Sequence, residues 1–183
     1  AIGGGAFPKL EKLDVSEDGT MGDGGVLAIM AGLEGGGCPH LKELNVSEVG
    51  MGPQGGQALA RALASGKLSC LQTLSVGGNA RVGDEAMREV MVGLKGCHQQ
   101  REIHVSETGM GREAGGALVQ ALREGAWPQL ELMHLSGNHE LFVDDEVGRG
   151  LVEAIEEGKV EQLKDLNLSK SGVSKEVVGR IEI

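Results

Sequence analysis

Apolar residues recur along this chain in blocks that repeat. Six short segments carry the same pattern: LEKLDVS from Leu10, LKELNVS from Leu41, LQTLSVG from Leu71, QREIHVS from Gln100, LELMHLS from Leu130 and LKDLNLS from Leu163. Successive starts are 31, 30, 29, 30 and 33 residues apart. Within each segment apolar and polar residues alternate, as in Glu43-Leu44-Asn45-Val46-Ser47. Period two predicts a short strand with one buried face. A turn follows, Glu48-Val49-Gly50, then apolar Met51 and Gly52-Pro53, the signature of a helix start with proline in the first turn. Ala58, Leu59, Ala62 and Leu63 then form the stripe of an amphipathic helix, and Ser65-Gly66 ends it. Strand, turn and helix repeating every thirty residues or so predict a solenoid.

The columns align across the repeats. Three residues before each anchor stand Phe7, Cys38, Leu68, Cys97, Trp127 and Val160, all apolar, a predicted core column. After the turn stand Met21, Met51, Val82, Met110, Val143 and Val173. The helices present Ile29 and Leu33, Leu59 and Leu63, Val90 and Leu94, Leu118 and Leu122, Leu151 and Ile155. At the turn the column reads Asp18, Val49, Asn79, Thr108, Asn138, Ser171, with asparagine in repeats three and five alone. Two departures stand out. Gln100 replaces leucine, so the fourth strand is expected to enter its sheet less tightly. The fifth turn is long and carries Leu141 and Phe142.

Composition narrows the class. Hydrophobic residues make up 40% of the 183 positions but aromatics only 2%, so the core must be aliphatic. The 32 glycines fall at repeated places and mark turns rather than disorder. A net charge of −10 argues against nucleic acid or anionic membrane as partner and favours a basic or neutral protein. No apolar run reaches membrane-spanning length.

The pattern LxxLxLxxN/C followed by an apolar residue and a full helix resembles a leucine-rich repeat. The long repeat, complete helix and two alternating flavours resemble the ribonuclease-inhibitor-like subfamily, most clearly in LSVGGNARVGDEAMREVMVGL and VSEVGMGPQGGQALARALASG. The resemblance implies an α/β solenoid, an open horseshoe of about six repeats with parallel strands on the concave side and helices on the convex side. It also implies a protein-interaction scaffold, acting as a monomer. Similar repeats occur in GTPase-activating proteins, Roco-type GTPases and nucleotide-binding receptors, so a regulatory segment of such a protein is the alternative. Ile2 aligns with the last core residue of a helix and Ile181 falls within one, so residues 1–183 read as a single domain cut from a longer array.

On that fold the outward strand positions form ladders: Lys12, Glu43, Thr73, Glu102, Leu132, Asp165; then Asp14, Asn45, Ser75, His104, His134, Asn167; then Ser16, Ser47, Gly77, Ser106, Ser136, Ser169. The expected partner-binding residues are Asp14, Glu43, Asn45, Glu102, His104, Leu132, His134 and Asp165, with Leu141 and Phe142 of the fifth turn as exposed apolar anchors. The serine ladder is expected to bond turn backbone. His104 and His134, about 5 Å apart beside Glu102, have donor chemistry for a divalent ion, but no third or fourth ligand is evident and an open sheet does not close round one. Two solvated histidines are the reading kept. No catalytic signature, cofactor or metal site is expected. Cys38 and Cys97 lie two repeats apart, too far for a disulfide, and free thiols favour an intracellular, cytoplasmic setting. Two glycosylation sequons, at Asn45 and Asn167, fall within strands and follow from the repeat itself.

Overall fold

The computed structural model describes residues 7–143 and 145–181. Ile2, taken above as a helix-end residue, lies outside them. Six strands alternate with six helices: β1 (Lys12–Asp14), α1 (Gly22–Glu34), β2 (Glu43–Asn45), α2 (Pro53–Ala64), β3 (Thr73–Ser75), α3 (Gly83–Leu94), β4 (Glu102–His104), α4 (Arg112–Arg123), β5 (Leu132–His134), α5 (Asp145–Glu156), β6 (Asp165–Asn167) and α6 (Lys175–Ile181). The strands form one parallel sheet in sequence order, and each helix packs on the next along its outer side. None of the described helices is long and apolar enough to cross a membrane.

Register follows from the alternation. Leu13, Leu44, Leu74, Ile103, Met133 and Leu166 pair in a row across the sheet and point inward. Slipping any strand by one residue would turn that row to solvent. The core between sheet and helices is almost wholly aliphatic. Trp127 is its largest member, and its indole N–H donates to the carbonyl of Leu94 at 3.0 Å, closing the end of α3.

The turns bind neighbouring repeats to one another. Asn79 is buried, and its Oδ1 accepts the N–H groups of Val49 (3.2 Å) and Met51 (3.1 Å) in the preceding repeat. Its Nδ2 donates to the carbonyls of Val46 (2.8 Å) and Val76 (2.7 Å). Asn138 does the same one pair later, accepting from Thr108 and Met110 and donating to Val105 and Leu135. Odd repeats thus reach back to even ones. They also reach forward. The even helices α2 and α4 begin after Gly52 and Gly111, which have no capping side chain. Asp23 supplies it from the repeat before, accepting the N–H of Gly52 (2.7 Å) and Gly55 (2.8 Å). Asp84 accepts from Gly111 (2.8 Å), Glu113 (3.0 Å) and Ala114 (2.8 Å). Carboxylates at helix starts satisfy orphan donors and meet the positive end of the dipole.

Several expectations are corrected. Leu141 and Phe142 are 1% and 4% exposed, so they are not surface anchors. Leu141 takes the after-turn column assigned to Val143. Its N–H donates to Asn138 as that of Val82 donates to Asn79, and Phe142 donates to Ser171 as Gly83 does to Thr108. A methyl group added at Gly115 would fall 2.8 Å from Leu141, as one at Gly56 would fall 2.7 Å from Val82. The extra residues therefore follow Leu141, and Val143 is pushed outward to 68% exposure. At the start of α6, Val177 donates to Ser174 Oγ of its own repeat. Phe7 is 48% exposed because no repeat packs on that side of the first turn among the described residues. In α1 the buried positions are Val26, Met30 and Leu33, while Ile29 is half-buried; Ile155 in α5 is half-buried as well. Gln100 does not loosen its strand: β4 pairs with both neighbours in the common register. Its side chain is fully buried, Nε2 donates to the carbonyl of Glu102 at 2.7 Å, and Oε1 has no hydrogen-bond partner.

Candidate functional site

The concave face is built by the strand residues that alternate with the buried row. Pairing aligns Lys12, Glu43, Thr73, Glu102, Leu132 and Asp165 as one ladder, and Asp14, Asn45, Ser75, His104, His134 and Asn167 as the next. Eight of the ten expected site residues therefore share one surface: Asp14, Glu43, Asn45, Glu102, His104, Leu132, His134 and Asp165. Leu141 and Phe142 do not join them.

Each carboxylate on this face has local company. Lys12 Nζ lies 3.0 Å from Glu43, which holds the lysine pKa above its ordinary value. Asp14 accepts the hydroxyl (2.7 Å) and the N–H (3.1 Å) of Ser16, and these bonds keep its carboxyl below the usual range. Asn45 and Asn167 accept the N–H of Ser47 and Ser169 in the same way. These are Asx turns, in which a side chain two residues back closes the chain after the strand. The serine hydroxyls bond ladder side chains rather than turn backbone, contrary to expectation: Ser16 to Asp14, Ser169 to Asn167 and Ser136 to Ser106. For Ser16 and Ser169 the reason is proximity, since the polar side chain two residues back already sits over the turn; Ser136 reaches its neighbour on the adjacent strand.

His104 and His134 stand edge to face with centroids 5.1 Å apart. Nε2 of His104 lies 3.2 Å from Glu102 and Nε2 of His134 lies 3.3 Å from Asp165. Each imidazole is thus tied to its own carboxylate on opposite sides of the pair. Among the described residues no group of three or more His, Cys, Asp or Glu side chains gathers to hold a metal ion.

Beyond the strands the turns form an acidic rim. Glu17, Glu48 and Glu107 have φ of 65°, 56° and 55°, and Lys170 completes the column with φ 54°. The third and fifth members are Gly78 and Gly137, both at φ 72°. A methyl group added at Gly78 would lie 2.5 Å from Cγ of Glu48, and one at Gly137 2.5 Å from Cγ of Glu107. The glycines make room for the neighbouring glutamates, which hold a conformation that costs roughly 1 kcal/mol or more per L-residue.

Comparison with known proteins fits this geometry. The family model described as "Leucine Rich repeat" matches residues 37–60 and 67–91, the second and third strand–helix units. Among solved structures, the tropomodulin C-terminal domain from Caenorhabditis elegans matches with TM-score 0.61 and 11% identity, over 82% of this chain and 85% of that one. The chain has a leucine-rich repeat fold. Compared with the curated proteins, it matches none.

Three features of this fold were not anticipated from the sequence. Asp23 and Asp84 cap helices of the following repeat, and the signal was an acid two residues after Met21 and Val82 with glycine at the next helix start. The glutamate–glycine alternation of the rim was equally visible in the sequence. The third is a groove of about 740 Å³ on the convex side, between α3, α4 and α5, lined by Arg88, Val92, Arg112, Arg123 and Arg149 among others. Arg112 pairs with Glu146 at 2.6 Å and Arg123 with Glu153, so much of its charge is committed. Of the cysteines, burial pushes the Cys97 thiol up to about 11 and raises Cys38, while Cys70 is half-buried; all three are free.

Proposed function

We propose that this protein is an interaction scaffold that holds a basic or neutral protein partner against its concave sheet. One observation carries the reading: strand register and turn geometry bring Asp14, Glu17, Glu43, Glu48, Glu102, Glu107 and Asp165 onto one continuous face, against Lys12 and Lys170. Leu132 lies between Glu102 and Asp165 as the one large apolar side chain of the ladders. Curved repeat arrays use such extended concave surfaces for binding. The acidic face steers a basic partner inward and turns away nucleic acid and anionic membrane. Free buried thiols at Cys38 and Cys97 support a reducing, intracellular setting. The odd–even alternation of Asn79, Asn138, Asp23 and Asp84 supports a place in the ribonuclease-inhibitor-like subfamily.

The test is comparative capture from the native cell. Glu43→Lys with Glu102→Lys should lose the proteins that the parent retains. Arg88→Glu with Val92→Ser, on the convex groove, should retain them. The opposite pattern would move the site to the helices.

A further inference from the structure

The convex groove belongs to α3, α4 and α5 in particular and is not a feature of the repeat. Arg88, Arg112, Arg123 and Arg149 line it. Two repeats earlier the same four positions are Leu27, Pro53, Ala64 and Arg88. The hollow has a local origin as well. Gly116 of α4 stands where α2 carries Gln57, and a methyl group added at Gly116 would meet nothing within 4 Å. At Gly150 of α5, where α3 carries Glu89, a methyl group would lie 2.6 Å from Cγ1 of Val119. There α5 rests on α4 and closes the bottom of the groove. On the α3 side Val92 is 53% exposed, a large apolar side chain at the edge of the hollow.

The charge of the groove runs against that of the chain. Among the described residues lining it, four arginines stand against three glutamates, Glu113, Glu146 and Glu153, while the chain carries −10. Arg112 and Arg123 hold Glu146 and Glu153. Arg88 lies 4.0 Å from Glu89, beyond hydrogen-bond reach, and Arg149 donates Nε to the carbonyl of Asp145 in its own helix. An arginine fork matches a carboxylate in shape and charge. The walls are helices, whose backbone groups are bonded within them, so no strand edge is offered. An occupant must satisfy its own backbone, as a helix does. We infer that this groove docks an acidic helix of a protein partner, with carboxylates on Arg88 and Arg149 and an apolar side chain seated over Val92 and Gly116. The site lies on the helices, takes the opposite charge to the concave sheet, and does not rest on the concave reading.

A phage-displayed library of helical peptides, randomised on one face and panned on the whole 183-residue chain, tests it. The enriched peptides should include a class that carries Asp or Glu beside a large apolar residue. Synthesised singly, such a peptide should bind less tightly as salt rises. Gly116→Gln, which fills the hollow as Gln57 does in α2, should cost about tenfold or more in affinity. Its melting temperature should stay at or above that of the parent, because the position is open and glycine disfavours a helix. Lost binding is then not lost folding. Arg88→Ala with Arg149→Ala should weaken binding about fivefold, the effect of two exposed pairs removed. Glu43→Lys with Glu102→Lys, on the concave face, should not weaken it. Panning that enriches no peptide, or only basic and uncharged ones, would overturn the inference. So would acidic peptides that bind Gly116→Gln as tightly as the parent, or that lose affinity only with the concave variant.

Discussion

Asn79 satisfies four backbone groups of two repeats with one buried amide. Removing it leaves those groups without partners in a space closed to water. Asn79→Ala should therefore cost about 2–4 kcal/mol, more than a typical surface change, measured by chemical denaturation. A loss below about half a kcal/mol would mean that water replaces the amide freely. Gln100 offers the opposite case. Its column is otherwise leucine, its Oε1 is buried without a partner, and its one bond returns to Glu102 two residues on. Gln100→Leu should raise stability by about 1–2 kcal/mol, because an unsatisfied polar atom gives way to matched apolar packing. A lower melting temperature would show that the Nε2 bond matters more than the orphan oxygen. At this scale the sequence was partly legible. The inward row from Leu13 to Leu166 could be read from period two alone. The role of the two asparagines could not, because their partners lie about thirty residues away in the chain and only stacking brings them near. Leu141 and Phe142 were misplaced for a related reason. Counting from the strand end puts the extra residues in the turn, whereas the turn's own hydrogen bonds put them after Leu141.

At the scale of elements, the even helices α2 and α4 depend on the repeat before them for their caps. Asp84 accepts three N–H groups at the start of α4. Asp84→Ala should lower stability by about 1 kcal/mol and speed amide exchange in the first turn of α4 while α3, which carries Asp84, keeps its protection. Exchange that rose equally in both helices would point to general loosening instead of a lost cap. Helices and strands were legible because apolar spacing changes from two to about three and a half within each repeat. Their coupling was not, since each capping aspartate acts on the next repeat and makes no such bond within its own. At the start of α6, Val177 N–H donates to Ser174 Oγ of its own repeat.

For the whole molecule, strand register is what turns scattered acids into a surface. No short segment of the chain is strongly acidic at the strand positions; the ladders become so only when six strands align. The eight ladder residues of the expected site were legible for that reason, once the repeat was recognised. The acidic rim at Glu17, Glu48 and Glu107 adds to the same face from turns that hold positive φ. Association with a basic partner should then be governed by a field that salt screens over about 8 Å at physiological ionic strength. The most direct test is the association rate of a captured partner at low and high salt, for the parent and for Glu43→Lys with Glu102→Lys. The account predicts a parent rate that falls steeply with salt, and a variant that associates slowly at low salt, approaches the parent rate at high salt and dissociates at nearly the parent rate. A parent rate indifferent to salt, with the variant unchanged in both directions, would contradict the concave acidic face as the binding surface.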